Sequence, residues 1–199
     1  MVADLDLMLA SMSPRRRQLL GAAGLRFSVC APGDEYLAGA HEHANEAGDP
    51  RELCVERARR KARGAAVDSA GAPVLGVDTV VDLDGQELGK AADRAAAESM
   101  LRRLAGRTHS VHTAHCLVAD GQEWEELVSA TVRCAPVSAA RLAAYLDSDE
   151  WRGKAGAYGI QDEAQDFLEL EAGAYDGVVG VHVAAVHRLL RRAVAEGGA

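Results

Sequence analysis

The chain has 199 residues, 48% of them hydrophobic and 26% charged, and a formal net charge of −8. That length supports one sizeable core, and the acidic balance excludes the basic excess on which sequence-independent nucleic-acid binding depends. No apolar run approaches the ~20 residues of a membrane-spanning helix. Four scattered cysteines with no C-x-x-C pair, and no signal-peptide pattern, fit reduced thiols in a cytosol. The expectation is a single α/β domain over residues 1–199, cytoplasmic, with no membrane or nucleic-acid partner.

In chain order, "LDLMLA" (5–10) reads as a buried strand. It is followed at once by a helix over 14–24 with Ser13 as N-cap, Pro14 in its first turn and Gly24 as its stop. A short strand at 27–31 leads into a polar, aperiodic stretch, 32–49, that reads as a long surface loop. Pro50 opens a charged helix in which Leu53, Arg57 and Lys61 recur every four residues. An apolar strand from 72 continues through an "LDGQE" turn to 89 as a hairpin, and a helix occupies 91–106. Two long antiparallel strands fill 108–137 around a second "DG" turn. Ser138 caps a helix to Leu146, 151–161 is neither helix nor strand, 167–173 is a late strand, and an amphipathic helix closes the chain.

The turn "LASMSPRR" (9–16) ends a strand and starts a helix where Ser11, Arg15 and Arg16 meet the free N–H groups of a first helical turn. Those donors, the positive end of the helix dipole and two guanidinium groups together make a place for an anion. In "GVDTVV", Asp78 interrupts an apolar strand. A carboxylate is too costly to bury there unpaired, so it is expected at a strand end or in a cleft, paired with a cation, as a metal ligand or general base. Asp34 and Glu35 in the long loop are candidate oxygen ligands for a hard divalent cation. The glycine-punctuated "WRGKAGAYGIQ" brings Lys154, Tyr158 and Gln161 into one plausible binding loop.

Lysine usage is a further pointer. Only Lys61, Lys90 and Lys154 occur among 22 basic residues. A compact ammonium and a forked guanidinium are not interchangeable against a phosphate, so the three lysines are candidate ligand-binding residues. The histidines of "HEH" (41–43) and the series His109, His112 and His115 are not a zinc set, because the latter alternates between faces of a strand. Neither a G-x-x-x-x-G-K-[ST] loop nor a G-x-S-x-G elbow is present.

In their order, "LASMSPRR", "GDE", "RRKA", "GVDTVV", "LGK", "LAGRTHSVHT" and "KAGAYGIQ" resemble the Maf family of nucleoside triphosphate pyrophosphatases, collinearly from residue 8 to about residue 180. The resemblance implies a mixed α/β fold related to the inosine triphosphatase group, with an elongated central sheet flanked by helices, two lobes with a cleft, and a homodimer. It implies hydrolysis of a nucleoside triphosphate between the α- and β-phosphates with Mg²⁺ or Mn²⁺. Carried over, Ser11, Arg15, Arg16, Lys61, Lys90 and Gln161, with Lys154 in the same signature, are substrate-binding positions; Asp78 is the catalytic aspartate; Glu35 and Asp78 hold the metal. "DT" at 78–79 and "KAGAYGIQ" resemble the branch acting on dTTP and UTP. Three departures stand out: Ala91 after "GK", Asp162 after "GIQ", and Gly180-Val181-His182 near the C-terminus. A nucleotide-binding regulatory protein linked to cell division, with little turnover, is the competing reading.

Overall fold

A computed structural model describes residues 7–32 and 48–197. Strands β1 (Leu7–Ala10), β2 (Phe27–Cys30), β3 (Val74–Leu83), β4 (Gln86–Leu88), β5 (Thr108–Ala119), β6 (Gln122–Cys134) and β7 (Leu168–Ala172) form one seven-stranded sheet. Its order is β2-β1-β3-β5-β6-β7, with β4 attached to β3. β1 runs parallel to both neighbours, and all other pairings are antiparallel. Helices α1 (Pro14–Ala22), α2 (Pro50–Ala66), α3 (Arg94–Leu104), α4 (Ala139–Asp147), α5 (Tyr175–Val179) and α6 (Val183–Gly197) flank it. The architecture is the mixed α/β arrangement expected from the sequence. No described helix is long and apolar enough to cross a membrane.

Local chemistry explains the boundaries. Asp84-Gly85 and Asp120-Gly121 take positive φ at both positions, 55° and 78° then 50° and 73°, the twist that two-residue hairpins require. Asp49, Asp93 and Ser138 accept from backbone N–H groups of α2, α3 and α4. Ser13 is the exception: it holds the N-cap position of α1 without a side-chain cap bond. Its own N–H donates to Ser11 Oγ at 3.3 Å, so the hydroxyl that organises this turn belongs to Ser11. The five residues of α5 are too few for helical periodicity to register in the sequence.

Alternation along β3 builds the elongated body. On one face, Leu75 and Val77 join a cluster with Leu9, Leu20, Leu117, Trp124 and Leu189, whereas Val81 and Leu83 join another with Leu101, Leu104, Trp151 and Phe167. Thr79 falls between these two cores on the same face. On the other face α2 lies against the sheet through Cys54, Ala58 and Ala62, packed on Val80, Ala114 and Cys116. Gly76 makes this possible: a Cβ there would sit 2.2 Å from the Ala58 carbonyl oxygen and 2.6 Å from the Ala62 nitrogen.

Candidate active site

The sheet has a break in it, and the break positions the site. One edge of β3 is fully paired with β5 from Val74 to Asp82. On the opposite edge β1 covers only Val74, Leu75 and Gly76, and β4 covers only Val81, Asp82 and Leu83. Residues 77–80 therefore have no strand beside them on that edge among the described residues. β1 and β4 run in opposite directions, so the C-terminal ends of both converge on this gap. From β1 comes Ser11 and the start of α1; from β4 come Gly89 and Lys90. Ends of strands that meet at a change of direction form ligand crevices in open sheets.

A cleft of about 620 Å³ occupies the gap. Its lining includes Arg15, Arg16, Lys61, Asp78, Thr79, Lys90, Lys154 and Gln161, and from Ser13 to Gly180 it joins residues 167 apart in sequence in one cavity. Ser11 is buried beside it. Asp34, Glu35 and the "HEH" histidines lie outside the described residues.

Each side chain is held by its element. α2 carries Lys61 on its buried stripe, where Nζ donates to Asp78 Oδ1 at 2.5 Å and to the Val77 carbonyl at 3.1 Å. Below, Cys54 Sγ donates to the Asp78 carbonyl at 3.5 Å, and burial pushes this thiol up. Arg16 donates through Nε to the Gly180 carbonyl (2.8 Å), through Nη1 to Ser11 Oγ (3.0 Å) and through Nη2 to Thr79 Oγ1 (3.3 Å). One planar fork thus ties the first turn of α1, β3 and the α5–α6 connection together. The loop carrying Lys154 is moored to β4 by a bridge between Lys90 and Ala155, and by Gly156 N donating to the Leu88 and Gly89 carbonyls.

The cleft's electrostatics are lopsided. Arg15 is half-buried and Lys90 exposed, and neither has an acidic partner among the described residues. Desolvation lowers the Arg15 guanidinium below its ordinary value. Lys154 pairs with Asp162, while burial and the positive field of Arg15 bring its ammonium down to about 8.

Three further residues of the cleft are not candidates from the sequence. Arg57 and Glu87 form a buried bidentate pair at 2.5 and 2.8 Å inside the lining. Arg57 stands one helical turn before Lys61, which was the available signal. Thr79, next to Asp78 on β3, accepts from Arg16 Nη2 and from Thr113 Oγ1 (3.1 Å).

The three β5 histidines serve separate partners. His109 contacts the Tyr158 hydroxyl at 2.6 Å, His112 bridges Ser129 and Asp82, and His115 accepts from the His182 N–H at 2.9 Å. Burial lowers His109 and His115 to about 4. Cys116, Glu123 and Glu125 lie close enough to hold a cation. Both carboxylates there are already paired, with Arg63 and Arg59, and burial lifts the thiol to about 12.

The family described as "Maf-like protein" matches residues 6–193. A dTTP/UTP pyrophosphatase of Symbiobacterium thermophilum is 45% identical over 176 residues, 88% of each chain. One of Burkholderia thailandensis is 44% identical over 192 residues, 93% of this chain and 91% of its own. One of Hyphomonas neptunium is 42% identical over 182 residues, 91% of this chain and 92% of its own. The match runs through every segment that lines the cleft, from the turn after β1 to the α5–α6 connection, and the chain belongs to the Maf-like protein family.

Proposed function

We propose that this chain is a nucleoside triphosphate pyrophosphatase acting on dTTP and UTP, releasing the nucleoside monophosphate and pyrophosphate. The observation that carries the reading is the pair Arg15 and Lys90, two cations facing one cleft with no acidic partner among the described residues. A polyanion supplies what they lack. The relatives' names narrow it to pyrimidine triphosphates.

In this reading Ser11, Arg15 and Arg16 hold the phosphate chain at the turn after β1, Lys90 meets it from β4, and Lys154 and Gln161 bind from the opposite loop. Asp78, oriented by Lys61, takes a proton from the attacking water as its oxygen bonds to the α-phosphorus. The bond from that phosphorus to the bridging oxygen breaks, and the electron pair leaves with pyrophosphate. Basic groups fixed around the phosphates stabilise the charge that builds on their oxygens.

The residues also fit a divalent cation. Asp78 Oδ2 has no hydrogen-bond partner among the described residues, and Mg²⁺ takes one or two carboxylates and completes its shell with water and phosphate oxygens. Asp78, together with Glu35, is the proposed holder. Such a cation, Mg²⁺ or Mn²⁺, supplies phosphate charge neutralisation and a more acidic water. A homodimer belongs to the same proposal and is checked by sedimentation velocity.

The test is product identification. Purified protein with Mg²⁺ or Mn²⁺ is offered UTP, dTTP, CTP, ATP and GTP, and the products are separated by ion exchange. UMP and dTMP with pyrophosphate support the reading. Diphosphate with orthophosphate, or tight binding without turnover, contradicts it.

A further inference from the structure

Asp162 precedes a single 3-10 turn, Glu163–Asp166, at the position where an aspartate ordinarily caps the free N–H groups that follow. It makes no such bond. Its Oδ1 accepts instead from Gln161 Nε2 at 2.9 Å, and its Oδ2 pairs with Lys154 Nζ. Both partners line the cleft. The Lys154 and Asp162 side chains are only 11% and 18% exposed, so this pair is far better shielded from screening than a surface salt bridge.

The backbone is shaped to admit this carboxylate. A Cβ at Gly159 would stand 2.1 Å from Asp162 Oδ2 and 2.6 Å from Gln161 Nε2, so the glycine is what lets the acid lie against the loop and reach back to the cleft.

We propose that Asp162 is an internal counter-anion of the cleft: its carboxylate competes with a polyphosphate for Lys154 and Gln161, and a ligand binds those two groups only by displacing it. The proposal rests on the reading of the cleft as a polyphosphate site. The competitor is tethered, with an effective concentration on the order of millimolar or more, so a weakly held anion does not dislodge it. A triphosphate chain anchored also at Arg15, Arg16 and Lys90 has enough further contacts to do so. After cleavage neither product spans all of these groups, and Asp162 recovers Lys154, which favours product release. Asp162 is therefore a residue that sets selectivity for long polyanions, acting through Lys154.

The test uses inorganic tripolyphosphate as probe, titrated calorimetrically into the full chain, into Asp162→Asn and into Asp162→Gly, each alone and with Lys154→Met. Removing the competing charge is expected to tighten binding about tenfold, the scale of one charge-assisted hydrogen bond. The gain is expected to vanish in the Lys154→Met background, as coupling through that ammonium requires. With UTP, Asp162→Asn is expected to lower KM more than it changes kcat. Unchanged or weaker binding in both Asp162 variants, or a gain that persists without Lys154, overturns the proposal. Circular dichroism melts identify a variant that has lost its fold, and the other then decides. Tripolyphosphate binding without UTP turnover would sink the pyrophosphatase reading while leaving this test intact; no binding by any of these proteins would remove both.

Discussion

Lys61 Nζ lies 2.5 Å from Asp78 Oδ1, 17 residues on in sequence, and also reaches the Val77 carbonyl, so a helix and a strand are joined by one buried ammonium. Removing one member of a buried pair leaves a charge uncompensated, at about 3–5 kcal/mol, whereas removing both is far milder. Lys61→Met is therefore expected to lower unfolding stability in urea by about 3 kcal/mol, and the double variant with Asp78→Asn to recover at least half of it. A loss in the double variant equal to the sum of the two single losses would show that the pair is uncoupled.

Gly76 sets how closely α2 approaches β3. Gly76→Ala places a methyl against backbone atoms that cannot rotate away, at 2.2 and 2.6 Å. A loss of about 3 kcal/mol or more is expected in thermal unfolding. Because the same contact delivers Lys61 to Asp78, activity should fall even in protein that remains folded. A variant as stable and active as the parent would contradict this packing.

Arg16 makes three bonds in a fixed fork, to Gly180, Ser11 and Thr79. A lysine keeps the charge but cannot span all three acceptors. Arg16→Lys is expected to reduce kcat/KM for UTP at least about tenfold, the scale of one to two charge-assisted hydrogen bonds. An undiminished kcat/KM would show that charge alone suffices.

Burial and Arg15 bring the Lys154 ammonium to about 8 from its ordinary 10.5, with Glu150 opposing, and the Asp162 carboxylate in contact opposes this too. From about 8 up to 10.5 the unfolded chain retains a proton that the folded chain has lost. Stability therefore rises with pH in that window, and the cost of burying the charge is fully present below it. Polyphosphate affinity runs the other way, since the ligand prefers the charged lysine. KM for UTP should rise by a factor on the order of ten between pH 7.5 and 9.5, and Lys154→Arg should flatten that profile. Identical profiles for the two proteins would contradict the assignment.

Much of the fold was legible because its signals are local. Asp-Gly pairs marked both hairpins, and Ser138 marked a helix start, whereas the helix expected from 91 begins only after the Asp93 cap, at Arg94. Asp78's need for a cationic partner followed from the cost of burying a charge among valines, and Lys61 meets it. The break in the sheet was not legible, since it depends on where β1 stops and β4 begins along β3, a register that no single segment encodes. The Arg57–Glu87 pair is a long-range contact of the same kind. His182 stood out only as a departure from the family pattern. In the fold its N–H donates to His115 Nε2 at 2.9 Å, tying the α5–α6 connection to β5.

Asp78 is the proposed proton acceptor, and its replacement is the most direct test. Pyrophosphate release from UTP is compared between the parent chain and Asp78→Asn, with circular dichroism confirming that both are folded. Loss of turnover by about 10²–10⁴-fold is expected for removal of a proton acceptor in the transition state. Turnover by Asp78→Asn at the parent rate, with the same products, would place the chemistry elsewhere and contradict the site described here.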